Sequence, residues 1–343
     1  MSEFMIRSRL VGDNHPAFII AEACDNHLGK MEVAFEMIRL AKQAGADAIK
    51  FQHHLPDEEM LPDTPVSDNM SEPLYDFLKK YALSLQQHIE LKAYCDVIGI
   101  QYMCTPFSLK AAQELHEQKL LDVIKIGSGE MTDIPSLLEM AKFGVPMILS
   151  TGMCSLDEVE ETYQALLKTG VSFALMNCVS EYPPVYDDVN LKVIHLMQER
   201  FNKAIIGHSD HTPTLYTCFA AIALDAKIIE KHVIVDKNQP GPDQSVSINF
   251  SELTELVKGI RIIEAALGAE KKVHTKEEQI REWAFRSIVS CRELKVGETI
   301  SQEMIWSKRP GTGIPSKKMH EIIGKILVKP VAANTLLAWE DFV

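Results

Sequence analysis

The sequence predicts a (β/α)8 barrel followed by a small β-rich domain, and three observations carry that reading. A short β-branched run followed by an amphipathic helical stretch recurs eight times. The runs are continuously apolar rather than alternating, as strands buried on both faces are. Past Ala284 the pattern changes to a repeat of its own. Eight βα units within roughly 265 residues match the size of such a barrel. A doubly wound open sheet fits less well, because no GxGxxG follows the first strand.

In order, the strands are expected at 18–23, 48–52, 101–106, 123–128, 146–151, 173–178, 204–209 and 227–232. Helical patterns lie between them. In 32–44, for example, Val33, Met37, Leu40, Ala41 and Ala44 share one face, and 156–168 is similar. Gly45 and Gly170 follow as helix stop signals. The insert 55–81 is longer than its neighbours and rich in Pro, Asp and Met, a composition and length that suit a lid. A helix over 251–267 closes the barrel domain, residues 1–268. Residues 269–283 are charged, nearly free of large apolar side chains, and read as a linker.

In residues 284–343, Val289-x4-Leu294-x2-Gly297-x2-Ile300-x2-Glu303-x-Ile305 recurs as Ile326-x4-Val331-x2-Asn334-x2-Leu337-x2-Glu340-x-Phe342. Gly297 and Asn334 hold matched positions, and both residue types tolerate left-handed turns. A pseudo-twofold domain of about 60 residues has a marginal core. It is expected to lean on its own barrel or on a partner subunit.

Hydrophobic content of 46% with 24% charged residues is that of a soluble globular protein. No apolar run approaches the roughly 18 residues of a membrane helix, and the start lacks a signal peptide's apolar segment. Seven scattered Cys without a CxxC point to a reducing cytoplasm rather than a disulfide framework. A net charge of −13 disfavours nucleic acid and acidic membranes as partners. An anionic substrate would need local Lys or Arg.

Barrel active sites are built at the C-terminal ends of the strands. The polar residues there are Glu22; Lys50 and Gln52; Thr105; Lys125, Ser128 and Glu130; Ser150 and Thr151; Ser180 and Tyr182; Ser209 and His211; and Glu230 and His232. His211 and His232 close consecutive strands. Two imidazoles suit Mn²⁺, Zn²⁺ or Co²⁺ and leave positions for water or substrate; the plainer alternative is a loop hydrogen bond for each. Lys50 and Lys125 would neutralise a phosphate or carboxylate, form a Schiff base, or snorkel to solvent. Gly127-Ser128-Gly129 and Ser150-Thr151-Gly152 suit an oxyanion. Glu130 is a candidate general acid or base. Cys104 and Cys178 have no His partner nearby in sequence and are expected to pack.

Taken together, Ala21-Glu22 with Asn26-His27, Ile49-Lys50-Phe51-Gln52, Cys104-Thr105-Pro106-Phe107, Lys125-Ile126-Gly127-Ser128-Gly129-Glu130, Leu149-Ser150-Thr151-Gly152-Met153, Gly207-x-Ser209-Asp210-His211-Thr212, Glu230-Lys231-His232, Pro240-Gly241-Pro242-Asp243 and Lys308-Arg309-Pro310-Gly311 resemble the sialic acid synthase family. The likeness covers nearly the whole chain, and 284–343 resembles that family's antifreeze-like SAF domain. It implies condensation of phosphoenolpyruvate with N-acetylmannosamine to give N-acetylneuraminate and phosphate. The alternatives are an N,N'-diacetyllegionaminate or pseudaminate synthase.

The resemblance further implies a divalent ion, Mn²⁺ before Co²⁺ or Mg²⁺, on His211 and His232. Lys50, Thr105, Lys125, Ser128, Ser150, Ser180 and Ser209 would hold phosphoenolpyruvate, and Glu130 would handle the proton of the attacking water. Glu22, also counted with Glu130, His211 and His232 among the catalytic residues, would hold the sugar with Gln52, Phe107, Tyr182 and Asp243, joined by Arg309 from the neighbouring subunit of a domain-swapped homodimer. Two departures stand out: Asn177 occupies a place where His is usual in relatives, and Cys24-Asp25 one where small or aliphatic residues are common. Two other classes stay open. One is a Schiff-base pyruvate aldolase. The other is an ice-binding role for 284–343, which its three Thr (299, 312 and 335) argue against.

Overall fold

The computed structural model describes residues 3–65, 72–239, 241 and 243–343. Part of the expected lid (66–71), and Pro240 and Pro242 of the proline loop, lie outside them. The chain divides into two compact units, Met1–Leu267 and Gly268–Val343.

In the first unit a hairpin, β1 (Glu3–Ile6) and β2 (Arg9–Gly12), precedes eight parallel strands. These are β3 (Phe18–Glu22), β4 (Ala48–His53), β5 (Gln101–Pro106), β6 (Ile124–Ile126), β7 (Met147–Ser150), β8 (Phe173–Cys178), β9 (Ile205–Asp210) and β10 (Ile228–His232). They close into a barrel in sequence order, with β10 pairing back on β3. The helices between them start where the sequence supplies caps. Ser84 with Gln87, Ser155 with Glu158 and Asn249 with Glu252 form capping boxes that satisfy otherwise orphaned N–H groups.

Two apolar layers hold the barrel. Alternate strand residues such as Ile19, Ile49, Ile206 and Ile229 face the helices. Phe18, Ile20, Ala48, Met103, Ile148, Ala174, Ile205 and Ile228 fill the interior together with Phe4, Ile6 and Val11 of the hairpin. Most of these interior residues lie at or near strand starts, so the hairpin stoppers the N-terminal end of the barrel. Sequence reading missed this plug, although its alternation (Phe4 and Ile6 in, Glu3 and Met5 out) is that of a half-buried strand.

The same alternation sorts the strand ends. Glu230 and His232 continue the inward row begun by Ile228, whereas Lys231 falls on the helix side with Ile229. There Lys231 Nζ meets Asp210 Oδ2 at 2.6 Å, and neither residue is more than 1% exposed. Lys231 also donates to the Thr212 carbonyl, and Thr217 Oγ1 donates to Asp210 Oδ1 at 2.9 Å. A fully buried ion pair therefore ties β9 to β10 directly behind His211 and His232.

The second unit contains the antiparallel pair β11 (Ser287–Ser290) and β12 (Ile305–Lys308). Three matched pairs of the repeat, Leu294 and Val331, Ile300 and Leu337, and Ile305 and Phe342, enter its core, whereas Ile326, matched to Val289, is exposed. Gly297 (φ 86°) and Asn334 (φ 58°) both take the left-handed conformation. The stretch read as a linker carries a helix, Thr275–Ala284, with no buried residue in this unit. Its only large apolar residues, Ile280 and Trp283, are too few to form the stripe by which a sequence betrays a helix.

Candidate active site

At the C-terminal ends of the strands lies a cavity of about 460 Å³. Its walls include Glu22, Lys50, Gln52, Thr105, Phe107, Lys125, Ser128, Ser150, Ser180, Tyr182, Ser209, His211, His232 and Asp243, so one space gathers these expected site residues. Register brings several together. Glu22 lies opposite Lys50, Gln52 opposite Thr105, Ser209 opposite both Cys178 and Glu230, and His232 opposite Glu22.

Its floor is a charged network. Lys50 Nζ reaches Glu22 Oε2 at 2.7 Å and donates to Thr105 Oγ1 at 2.9 Å. Lys125 Nζ donates to Ser150 Oγ at 2.7 Å. Both ammonium groups face Glu230 Oε1, at 3.8 Å and 3.6 Å, and Ser209 Oγ donates to the same oxygen at 3.2 Å. Both Lys are 2% exposed, so their charges stand in low dielectric and act strongly on any anion admitted there. Burial lowers Lys125, with the Lys50 charge adding to the effect, while burial of Lys50 is outweighed by Glu22 and Glu230, which hold it raised. Burial lifts Glu22 to about 7, even against the adjacent Lys50. In sequence Glu230 is only one polar strand end among several, with no partner to suggest its role. Its part as shared counter-ion arises only when the barrel closes and sets β10 across from β4 and β6.

One wall carries the hydroxyl loops. The Gly152 N–H donates to Ser128 Oγ at 3.1 Å, and a side chain at Gly152 would overlap the Ser128 and Ser180 hydroxyls. Glycine is what lets three strand ends crowd around one anion-sized space. Glu130 does not line the cavity. Its carboxylate sits where a side chain of Gly127 would be, beside Phe107, with Oε2 buried and lacking a hydrogen-bond partner, and burial raises it to about 7.

The imidazoles stand beside that wall, at the ends of the neighbouring strands β9 and β10, with His211 and His232 ring centres 5.1 Å apart. His211 Nδ1 contacts the Val179 carbonyl at 2.7 Å, and Nε2 contacts Tyr182 Oη at 3.2 Å. Burial opposes a charge on His211, but the Cys178 thiol and the Val179 carbonyl outweigh it and raise the ring to about 9. Burial, reinforced by His211, keeps His232 well below its usual value. His232 Nδ1 is buried without a partner. A ligand atom each from Cys24, His232 and Asp243 lie within 4.8 Å of one another. A buried imidazole short of a partner, beside further donor atoms, fits a divalent ion.

Cys178 corrects the packing expectation. It lines the cavity, and its Sγ is 4.0 Å from His211 Nδ1, across 33 residues of sequence that hid the pair. Cys104 does belong to the core. Asp25 and His54 also line the cavity, with His54 Nε2 3.6 Å from Asp25 Oδ2 and its ring stacked 4.3 Å from Phe107. Leu74, Phe77 and Leu78 bring the helix Leu74–Tyr81 of the expected lid to the same wall. Asn177 is buried against His208. Arg309 is exposed on the second unit, where its Nε donates to the Ala284 carbonyl at 3.0 Å and its guanidinium lies 5.5 Å from the Trp283 ring.

Two buried ammonium groups, a hydroxyl wall and an imidazole pair, all at the strand ends of a closed barrel, define an enzyme site for an anion and a carbonyl partner. Residues 37–272 match the NeuB family and residues 285–343 the SAF domain. The chain belongs to the NeuB family, whose named members are carbon–carbon bond-forming synthases of the sialic acid type. It is 36% identical to the N,N'-diacetyllegionaminic acid synthase of Legionella pneumophila, over 96% of this chain and 95% of that one. It is 34% identical to the human N-acetylneuraminate-9-phosphate synthase, over 96% and 94%. The crystal structure of the N-acetylneuraminic acid (sialic acid) synthetase from Leptospira borgpetersenii in complex with citrate aligns with a TM-score of 0.74 at 31% identity, covering 81% of this chain and 95% of that one.

Proposed function

We propose that this chain condenses phosphoenolpyruvate with N-acetylmannosamine and water to give N-acetylneuraminate and phosphate. The observation that carries the reading is the pair of buried ammonium groups sharing Glu230 beneath a hydroxyl wall, in one cavity with His211 and His232. Phosphoenolpyruvate, with a carboxylate and a phosphate, suits two fixed positive charges. On binding it would take over from Glu22 and Glu230 as partner of Lys50 and Lys125, with Thr105, Ser128, Ser150, Ser180 and Ser209 completing its hydrogen bonds. A divalent ion on His211 and His232 would polarise the aldehyde of the open-chain sugar. Enol C3 bonds to the aldehyde carbon, water adds at C2, and phosphate leaves with cleavage of its bond to C2. Glu22, Gln52, Phe107, Tyr182 and Asp243 orient the sugar, and Glu130, set beside Gly127 rather than on the cavity wall, accepts the proton of the water through one bridging water.

The deciding test is phosphate release with N-acetylmannosamine, mannose, and 2,4-diacetamido-2,4,6-trideoxymannose. Release should need phosphoenolpyruvate and an aldose together, stop with chelator, and be fastest with the first sugar. A preference for the third would make the chain a legionaminate synthase instead. The lowered pKa of Lys125 favours a second reading, a Schiff-base aldolase acting on pyruvate. Borohydride with pyruvate should leave Lys50 and Lys125 unmodified; a trapped adduct on either would replace the condensation.

As the proton acceptor, Glu130 works only when ionised, so kcat should rise with pH through about 7. In Glu130→Gln that rise should vanish and kcat should fall by about 10²–10⁴-fold. An unchanged pH profile would remove Glu130 from the reaction. Arg309 we assign to the sugar's N-acyl group in the site of a partner subunit, within a swapped homodimer. Arg309→Ala should then raise the KM of the sugar by roughly tenfold, as loss of a charged hydrogen bond does, with little effect on that of phosphoenolpyruvate. Equal effects on both would end that assignment.

A further inference from the structure

We propose that Cys24 is a metal ligand, so that the ion at this site is held by a thiolate as well as by imidazole and carboxylate. The inference rests on the proposed presence of an ion at His211 and His232, and it adds further ligands and the class of metal they select. Cys24 lies two residues beyond the end of β3, and His232 ends β10, opposite Glu22 in register. The barrel's closure therefore brings the thiol over the imidazole, and Asp243 approaches from the loop after β10. Ligand atoms of Cys24, His232 and Asp243 lie within 4.8 Å of one another. Metal–sulfur and metal–nitrogen bonds of about 2.3 Å and 2.0 Å at a tetrahedral angle put the two ligand atoms roughly 3.5 Å apart. Side-chain shifts on the order of 1 Å close the set from its present spacing.

A second observation points the same way. His232 is 5% exposed, yet its Nδ1 is buried with no hydrogen-bond partner, a state that native interiors rarely leave uncompensated. Cys24 is wholly buried and held at φ 39°, in the left-handed region that favours glycine. Binding expels the thiol proton to solvent and leaves the thiolate on the ion. Thiolate is a soft ligand and favours Zn²⁺ or Co²⁺, whereas oxygen donors suit Mg²⁺ and Mn²⁺.

Cobalt titration of the metal-free full-length chain tests this without reference to turnover. Cys178, 4.0 Å from His211, is the competing thiol. Bound Co²⁺ should show a sulfur-to-metal charge-transfer band in the near ultraviolet that persists in Cys178→Ser and disappears in Cys24→Ser. The ratio of Zn²⁺ to Mn²⁺ affinity should fall at least tenfold in Cys24→Ser. A band that survives in Cys24→Ser, or one lost in Cys178→Ser, overturns the proposal. Should Cys24→Ser fail to fold, as judged by circular dichroism, X-ray absorption of the Co²⁺-loaded Cys178→Ser chain decides. A sulfur neighbour at about 2.3 Å supports the thiolate, and a shell of nitrogen and oxygen alone rejects it. A sulfur-free shell with metal-dependent phosphate release would sink only this inference. A sulfur-bound ion without phosphate release would sink only the proposed reaction.

Discussion

Alanine at both His211 and His232 is expected to cut phosphate release by roughly 10³-fold or more, because polarisation by an ion is worth several kcal/mol and each ~1.4 kcal/mol is tenfold. The fold should survive, since the barrel's closure rests on backbone pairing and on apolar layers that neither ring enters. The measurement is steady-state phosphate release beside a thermal melt. Loss of activity with an unchanged melt supports an ion at the imidazoles. Activity within tenfold of wild type would exclude it and take the proposed mechanism with it.

The largest effect on stability is expected from Lys231→Met. Lys231 and Asp210 are a fully buried pair, and removing one partner leaves the other charge in low dielectric. Breaking such a pair costs about 3–5 kcal/mol. For a unit of this size that lowers Tm by on the order of 10 °C. With Lys231 in place, the His208 ring and Lys231 outweigh burial and hold the Asp210 carboxyl well below its usual range, so removing Lys231 strips a buried carboxyl of its main counter-charge. Adding Asp210→Asn to Lys231→Met removes the stranded charge and should recover much of the loss. A single variant within 1 °C of wild type, or a double variant no better than the single, would show that the pair carries no such weight.

The barrel strands were legible because each is apolar on both faces, a pattern that surface elements do not produce. The strand-end residues followed from the barrel rule alone: once the runs at 204–209 and 227–232 are consecutive strands, their terminal His residues must be neighbours. What escaped was non-local. Cys178 and His211 meet at the ends of neighbouring strands 33 residues apart in sequence, and Glu230 becomes a counter-ion only because closure sets it between Lys50 and Lys125. The hairpin at 3–12 was overlooked for another reason: four-residue strands carry too few apolar positions to stand out from a charged terminus. Glu130 was read as a catalytic group on its place after the Gly-Ser turn, yet its carboxylate lies beside Gly127 rather than on the cavity wall. A sequence names the residues of a turn without saying which way their side chains swing.

The hairpin that stoppers the barrel has a kinetic consequence. With Phe4, Ile6 and Val11 filling the base, molecules exchange only at the opposite mouth. The lysines lie at the bottom of that vessel and Phe107 and Tyr182 nearer its rim. Traffic through a single doorway is last in, first out. A ligand seated on Lys50 and Lys125, as proposed, would then have to arrive before its co-substrate and leave after it. Initial-rate plots should therefore intersect, and a small inert dianion should compete with the deep ligand while inhibiting in mixed fashion against the shallow one.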